Sequence, residues 1–165
     1  MSLINIGDKI PEANFKRCGE NRIETLSTNE LFNKNKVLVI GVMGAFTPAC
    51  TNKHLPDFVP YAQELKNNSI AELVICISVA DPFVLKAWGN MIDPDNNIMM
   101  LTDTNAEFTK TIGLDIDLSH LGLGTRSTRY AMFVENGIIK MLNVEKQPQD
   151  VEVTSKKAIE EWLQQ

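Results

Sequence analysis

The chain has 165 residues, of which 44% are hydrophobic and 22% charged, and it carries a formal net charge of -5. This composition is typical of a soluble globular domain that is large enough to bury a substantial core. The acidic balance and the lack of a Lys/Arg cluster argue against nucleic acid as a partner, and the apolar runs are too short to cross a membrane.

Cysteine usage indicates a reducing compartment. Cys18, Cys50 and Cys76 are odd in number and widely spaced, which does not fit the disulfide framework of a small secreted protein. No C-x-x-C motif is present for zinc binding or for thioredoxin-type exchange. The first residues show no signal-peptide pattern, so we expect a cytoplasmic protein.

The first half of the chain predicts strands alternating with helices. The predicted elements are, in order, short strands within the turn-rich segment 4–26, a brief helix over 29–34, a buried strand over 37–42 and a helix over 48–66. Pro56 predicts a kink or a break in the last of these helices, and Pro60 predicts a second irregularity.

The second half continues the alternation and then forms a hairpin. Its predicted elements are a strand over 73–79, a helix over 82–91, a strand over 98–101, a helix over 105–112, a loop over 115–127, strands over 129–135 and 138–144, and a helix over 154–163. Asp81 is the expected cap of the helix at 82–91, and Asn136-Gly137 is a strong hairpin signal. We expect one domain over 1–165 with an α/β, thioredoxin-like sandwich: a central mixed sheet flanked by helices, with an N-terminal extension.

The strongest functional signal is the segment from Gly41 to Cys50, which joins a predicted strand to a predicted helix. Thr47 is the expected N-cap and Pro48 the first helical residue. Cys50 then falls in the first turn, where unpaired backbone N–H groups and the helix dipole favour a thiolate. Sites in open α/β sheets lie beyond the carboxyl ends of the strands. We therefore expect a catalytic thiol, against the alternative of a small core cysteine.

Two side chains are candidates to act with this thiol. Arg129 begins a predicted strand on its inward face, where a guanidinium needs an anionic partner such as a thiolate; the alternative is an arginine at the strand end that reaches water. His54 lies one helical turn after Cys50. A Cys–His pair would indicate acyl-transfer chemistry, but we favour a pocket-edge position or a hydrogen-bonded packing role.

The remaining candidates carry weaker signals. Thr47 has a second role compatible with capping, since its hydroxyl can bond to the sulfur or to a substrate oxygen. Cys76 lies in the middle of a strand, where a buried, inert thiol is the default, and Cys18 has no visible activating group. His54 and His120 are isolated from each other, so we expect no metal site.

The segment from Gly44 to Pro56, G-A-F-T-P-A-C-T-N-K-H-L-P, closely resembles the active-site loop of peroxiredoxins in the form of the atypical type II, or peroxiredoxin-five, subgroup. The resemblance continues through 78–88, 128–132, 136–137 and 142–145, and so covers nearly the whole chain. It implies a thioredoxin-like fold and a thiol-dependent peroxidase that reduces hydrogen peroxide and alkyl hydroperoxides in antioxidant defence and cell redox homeostasis.

The resemblance also implies roles for individual residues. Cys50 is expected to be the peroxidatic cysteine that becomes a sulfenic acid, Thr47 the hydroxyl that orients the peroxide, and Arg129 the catalytic arginine. The expected substrate-binding residues are Gly44, Phe46, Ala49, Leu118 and Leu121. The proline of the family pattern Pro-x-x-x-Thr-x-x-Cys falls at Met43, an apolar residue that can shield the pocket without stiffening the loop.

The regeneration of the thiol is a separate question. The resolving cysteine of some family members falls near Thr154-Ser155, which hold no thiol, and Cys76 matches the second cysteine of plant-type members as a candidate resolving residue. We expect a one-cysteine cycle with no bound cofactor, completed by glutathione and glutaredoxin, with thioredoxin as the alternative reductant. We also expect a homodimer.

Three other functions compete with this interpretation. The first is a redox-fold binding or regulatory module that keeps the thiol without turnover, which Met43 favours. The second is a thiol transferase acting on disulfides, which the lack of a C-x-x-C motif disfavours. The third is a cysteine hydrolase using Cys50 and His54, for which the sequence shows no acidic partner.

Overall fold

The computed structural model describes residues 3–165, which form nine strands and five α-helices joined by short turns. In chain order the elements are β1 (Asn14–Cys18), β2 (Ile23–Ser27), α1 (Thr28–Phe32), β3 (Lys36–Gly41), a π-helical turn (Cys50–His54), α2 (Leu55–Asn67), β4 (Leu73–Ser78), α3 (Pro82–Ile92), β5 (Met99–Thr102), α4 (Glu107–Thr111), β6 (Asp115–Asp117), a 3-10 turn (Ser119–Leu121), β7 (Thr125–Ser127), β8 (Tyr130–Glu135), β9 (Ile138–Val144) and α5 (Lys156–Leu163).

A seven-stranded mixed sheet forms the centre, with the strand order β2-β1-β5-β4-β3-β8-β9. β3 pairs in parallel with β4, and β4 with β5, whereas the other neighbouring pairs are antiparallel. The β1–β2 hairpin extends one edge of the sheet, as the expected N-terminal extension. The predicted fold class, a central mixed sheet flanked by helices, is confirmed.

Alternate residues of a central strand such as β3 point to opposite faces of the sheet and belong to different hydrophobic clusters. Leu38 and Ile40 belong to a hydrophobic cluster that includes Phe58 of α2 and Trp88 of α3. Val37 and its alternating neighbours belong to a second cluster with the side chains of α1 and α4. Because both faces of β3 are covered, its sequence is a continuous apolar run rather than an alternating one.

Local signals explain where several elements begin and turn. The Asp81 carboxylate accepts hydrogen bonds from the N–H groups of Phe83 and Val84, which confirms it as the cap of α3. Asn136 and Gly137 have φ angles of 51° and 78°, as a tight hairpin turn between β8 and β9 requires. Both features were predictable because each depends on neighbouring residues.

Two predictions about local structure are wrong. The segment 115–127 is not only a loop, since β6 and β7 pair across it in a small separate sheet. Each of these strands has three residues, which is too short for a periodic pattern. The second irregularity expected at Pro60 is absent, since Pro60 lies within the continuous helix α2, whereas the irregularity expected near Pro56 takes the form of a π-helical turn that ends just before it.

No helix within residues 3–165 has the length and apolar character needed to cross a membrane.

Candidate active site

Cys50 lies beyond the carboxyl end of β3, where the sequence places it. The chain leaves the strand at Gly41, passes through a short loop and enters a helical segment at Pro48. A Cβ atom at Gly41 would overlap the ring of Tyr130, so only glycine allows this close approach. Phe46 holds a left-handed φ of 64° in the loop, which is uncommon for a residue other than glycine. The backbone of the loop that precedes Cys50 is therefore constrained at both Gly41 and Phe46.

A π-helical turn carries Cys50 at its first position and His54 at its last. The Leu55 N–H donates to the Cys50 carbonyl, five residues earlier. Pro56 has no N–H to donate to Asn52, so the regular helical ladder cannot continue unchanged through this turn. Single π turns within helices occur frequently at functional sites. Here the turn directs both Cys50 and His54 toward one guanidinium.

Arg129 is the guanidinium, and its side chain is fully buried. Its Nη2 donates to Cys50 Sγ at 3.0 Å, its Nη1 to His54 Nδ1 at 2.8 Å, and its Nε to the Pro148 carbonyl at 3.1 Å. The alternative in which Arg129 reaches water is therefore wrong. Of the three acceptors, only the sulfur can carry a negative charge. A buried permanent cation needs strong acceptors or a compensating charge, and Cys50 Sγ lies where it can supply them.

His54 is also fully buried, and both of its ring nitrogens are occupied. Because the Thr154 carbonyl can only accept, His54 Nε2 carries the proton that it donates across 2.9 Å, and Nδ1 accepts from Arg129. Burial, together with the charge of Arg129, lowers the pKa of His54 from 6.5 to about 3. His54 is thus a neutral acceptor with a fixed tautomer. This arrangement disfavours a hydrolase, in which the imidazole would bond to the sulfur.

The hydrogen-bonded packing role expected for His54 is the one observed, but its partner Arg129 was not predicted. His54 and Arg129 lie 75 residues apart in the sequence, and no local pattern links them. The one available signal is the spacing of His54 from Cys50, which puts both side chains on one face of the helical segment.

Thr47 holds the loop rather than the helix. Its hydroxyl donates to the Gly44 carbonyl at 2.6 Å, and the Thr51 N–H is bonded to the backbone carbonyl of Thr47. The expected side-chain cap is therefore not formed, because the hydroxyl turns back toward the loop. With its proton given to Gly44, the Thr47 oxygen can act toward a further partner only as an acceptor.

The predicted substrate-binding residues lie at different depths. Phe46 and Leu121 are 52% and 61% exposed, whereas Leu118 is buried. Gly44 is buried and Ala49 is partly exposed. Of the three large apolar side chains among them, Phe46 and Leu121 are thus exposed rim residues, whereas Leu118 lies inside.

Arg126, which the sequence analysis did not single out, joins the segments around this rim. Its Nη1 donates to the Val79 carbonyl at 3.0 Å and its Nε to the Leu123 carbonyl at 2.8 Å. A Cβ atom at Gly44 would lie 2.9 Å from Arg126 Nη1. Arg126 therefore connects the end of β4, the segment around the 3-10 turn and the active-site loop. It was overlooked because it falls within the segment predicted as a loop.

Cys76 lies in the middle of β4, opposite Ile40 of β3, and is fully buried. Burial raises the pKa of the Cys76 thiol, and the nearby Cys50 raises it further. Cys18 is partly exposed, and all three cysteines are free thiols. Within residues 3–165, no group of three or more His, Cys, Asp or Glu side chains is arranged to hold a metal ion.

Comparison with known proteins agrees with the sequence resemblance. The Redoxin family matches residues 5–159. Peroxiredoxin-2D of Arabidopsis thaliana is 40% identical over 146 residues, which cover 88% of this chain and 90% of that protein.

Solved structures extend the agreement to the fold. Reduced Prx3 from Vibrio vulnificus in complex with hydrogen peroxide superposes with a TM-score of 0.89 at 38% identity, covering 98% of this chain and 97% of the other. The Plasmodium falciparum antioxidant protein, a 1-Cys peroxiredoxin, gives a TM-score of 0.87 at 26% identity and covers 96% of this chain and 98% of the other.

Proposed function

Since the chain belongs to the Redoxin family and, within it, to the peroxiredoxins of the type II or peroxiredoxin-five kind, we propose that Cys50 is its peroxidatic cysteine, with Arg129 and Thr47 as catalytic partners. The family membership makes the protein a thiol-dependent peroxidase with an antioxidant function. The observation that supports the assignment of residues is the buried 3.0 Å hydrogen bond from Arg129 Nη2 to Cys50 Sγ.

In the proposed first step the Cys50 thiolate attacks one oxygen of the peroxide. The S–O bond forms as the O–O bond breaks, and the departing oxygen takes a proton and leaves as water or as an alcohol. Arg129 stabilises the thiolate before the attack and the charge that develops on the oxygens during it. The backbone N–H groups of Ala49 and Cys50, at the start of the helical segment, add positive potential. Such preorganised donors supply most of the catalytic effect in comparable sites.

We propose that Thr47 orients the peroxide in this step. Its hydroxyl proton is given to the Gly44 carbonyl, which supports the oxygen as an acceptor for the substrate. A peroxide O–H that donates to this oxygen has its O–O bond held in one direction relative to the sulfur. Fixing the direction of attack is worth several powers of ten in rate for well-aligned reactions.

The substrates proposed are hydrogen peroxide and small alkyl hydroperoxides. The Vibrio vulnificus relative binds hydrogen peroxide in its reduced form. The exposed apolar side chains of Phe46 and Leu121 add a rim compatible with a short alkyl group. Met43, partly buried against the cluster that contains Cys50, supplies an apolar wall where the family pattern has proline.

We propose that regeneration uses an external thiol. Cys76 is fully buried within the sheet and its pKa is raised, which disfavours it as a nucleophile. The Thr154-Ser155 position has no thiol. Glutathione would attack the Cys50 sulfenic acid and release water, leaving a mixed disulfide that glutaredoxin reduces with a second thiol. Thioredoxin is the alternative reductant, and no bound cofactor takes part.

The buried position of Cys50 adds a requirement to this cycle. With the sulfur fully covered, a peroxide needs a small local movement to reach it, and the much larger glutathione cannot reach bonding distance while the turn 48–54 keeps its position. We propose that this turn opens after oxidation, when the sulfenic acid no longer offers Arg129 a full negative charge.

Quaternary structure and location are also proposals. Phe46, Phe83 and Leu121 are 52%, 69% and 61% exposed, and side chains of this size beside a site favour contact with a second copy of the chain. We therefore propose a homodimer. The composition and the free cysteines support a cytoplasmic location.

The experiment that tests the proposal is intact-mass analysis after one equivalent of hydrogen peroxide, with and without glutathione. The wild type and Cys76→Ser should each gain one oxygen, or one glutathione when it is present, and Cys50→Ser should gain neither. A loss of two hydrogens in wild type that Cys76→Ser abolishes would establish a Cys50–Cys76 disulfide and favour thioredoxin. A Cys50 that does not react would contradict the assignment and favour a binding module.

A further inference from the structure

Glu145 follows β9 and is 5% exposed, although it is a carboxylate. It accepts four hydrogen bonds from one short turn: from the N–H groups of Glu152, Val153 and Thr154 at 2.9, 3.2 and 3.0 Å, and from the Thr154 hydroxyl at 2.7 Å. These bonds lower the pKa of Glu145 although its burial acts in the opposite direction. One buried charge therefore fixes three consecutive residues of the chain.

The turn that Glu145 fixes leads directly to the active site. The Thr154 carbonyl accepts from His54 Nε2, and His54 Nδ1 accepts from Arg129 Nη1. Glu145 is also joined to Arg129 through the backbone, since its N–H donates to the Arg129 carbonyl at 3.0 Å. A continuous series of hydrogen bonds thus runs from the carboxylate through Thr154, His54 and Arg129 to the sulfur.

We propose that Glu145 is a positioning residue for peroxide reduction: by fixing the 152–154 turn, it holds His54, and through His54 the Arg129 guanidinium, against Cys50. This inference rests on the proposed role of Cys50. It assigns to the 145–155 segment a part in the reaction, although none of its side chains bonds to the sulfur.

A carboxylate suits this position for a geometric reason. Oε2 accepts from the Glu152 N–H, the Thr154 N–H and the Thr154 hydroxyl, and Oε1 accepts from the Val153 N–H, so both oxygens are used. An amide in the same place keeps one acceptor oxygen, carries no charge and turns its N–H group toward the donors on the other side. The change Glu145→Gln therefore leaves part of the turn unsatisfied while it nearly preserves the shape of the side chain.

The negative charge of Glu145, acting through space alone, would oppose ionisation of the Cys50 thiol, whereas positioning of Arg129 by Glu145 supports it. The other ionisable groups around Cys50 are Arg129 ahead of β8, His54 on the π-helical turn and Cys76 on β4. Removing a negative charge near this group favours the thiolate, whereas loosening Arg129 disfavours it. The sign of the change in thiol ionisation thus separates positioning from a through-space effect.

The test compares Glu145→Gln with Glu161→Gln, which makes the same charge change on the exposed surface of α5. Stopped-flow oxidation by hydrogen peroxide and the pH profile of Cys50 alkylation are measured for both. We expect Glu145→Gln to slow oxidation about 10- to 100-fold and to move the alkylation midpoint to higher pH, and Glu161→Gln to match the wild type. An unchanged rate, or a midpoint that moves to lower pH, would overturn the inference.

A second variant keeps the test decisive if Glu145→Gln does not fold. Thr154→Val removes only the hydroxyl donor and keeps the side-chain shape, and we expect it to slow oxidation about 3-fold with the midpoint moving the same way. A wild-type rate in Thr154→Val would then reject the proposal. If wild-type Cys50 does not react with peroxide at all, the proposed function fails, while the alkylation profiles still report whether Glu145 positions Arg129.

Discussion

Cys50 and Cys76 are both fully buried and belong to the same hydrophobic cluster, yet their surroundings prepare them for different chemistry. Cys50 begins a π-helical turn and accepts a hydrogen bond from Arg129, whereas Cys76 lies mid-strand between Ile40 and Met100. For Cys76 burial raises the thiol pKa. Arg129 acts to lower the pKa of Cys76 as well, but burial outweighs it. What separates the two thiols is therefore the direct hydrogen bond from Arg129, which Cys50 accepts.

Replacing the thiol itself should have the largest effect. We expect Cys50→Ser to lower peroxidase activity by more than about 10³-fold, since a serine hydroxyl is a poor nucleophile toward peroxide and other groups of the site cannot substitute for it. The activity is measured as the rate at which peroxide is consumed in a coupled assay with saturating reductant. Retention of a tenth of the activity would mean that another cysteine reacts and that the contrast with Cys76 is wrong.

Removing the buried cation of Arg129 should have the second-largest effect on activity. Arg129→Met fills most of the space with an apolar side chain but takes the donors away from Cys50 and His54. We expect the second-order rate with hydrogen peroxide to fall about 10²- to 10³-fold, as for the loss of a preorganised donor. Arg129→Lys is the matched control, because it keeps the charge without the planar fork and should fall in between. A fall in this rate of less than tenfold would show that burial and the helix N-terminus are enough for Cys50 to react without Arg129.

The buried imidazole should make the protein sensitive to acid. In the folded state His54 has a pKa near 3, against 6.5 for an ordinary histidine, so between these values the unfolded chain binds a proton that the folded chain does not. Stability from this group is therefore fully present above about pH 6.5 and is lost as the pH falls. We expect a loss of about 2–3 kcal/mol between pH 7 and pH 4.5 that His54→Asn does not show.

Urea unfolding of both proteins at the two pH values measures this difference. The contribution of the Glu145 carboxylate is common to both and cancels. Equal acid sensitivity in the two proteins would mean that folded His54 takes up its proton as readily as the unfolded chain does, which requires that Nδ1 no longer accepts from Arg129.

A smaller effect is expected at the rim. The added methyl group of Gly44→Ala would lie 2.9 Å from Arg126 Nη1, so Arg126 must shift from the carbonyls that it holds. We expect the rate with peroxide to fall roughly 3- to 10-fold. When Gly44→Ala is combined with Arg126→Ala, the added methyl group should lower the rate much less, because it no longer clashes with the arginine. Additive losses in this double-mutant cycle would rule out the proposed coupling.

The smallest effect on activity should come from the second thiol. We expect Cys76→Ala to react with peroxide within twofold of wild type and to lose about 1 kcal/mol of unfolding free energy through the small cavity left in the core. Stopped-flow oxidation and urea denaturation test the two parts. A large loss of turnover with an unchanged first step would mean that Cys76 acts as a resolving cysteine.

Much of the fold and the position of the thiol were predictable because they depend on local patterns. The apolar run before Gly41, the helix start at Pro48 and the Asn136-Gly137 turn each involve neighbouring residues, whereas the expected Thr47 side-chain cap is not formed. The fold class followed from the order of these elements. The three-residue strands β6 and β7 were missed because they are shorter than any periodic signal.

The interior of the site was not predictable in the same way. His54 meets Thr154 across 100 residues of sequence, and the role of Glu145 depends on a turn that shows no motif. The π-helical turn was read only as an irregularity at Pro56, since a single sequence gives no sign of how a helix accommodates one additional residue. Contacts of this kind are decided by tertiary packing.

The three acceptors around Arg129 come from the turn at Cys50–His54 and from the segment that follows β9. During synthesis Cys50 therefore leaves the ribosome long before Pro148 and Thr154 exist to hold its partner in place. In a nascent chain Cys50 therefore lacks the surroundings of the folded site, and the full set of hydrogen bonds around Arg129 and His54 forms only when the segment that follows β9 has docked.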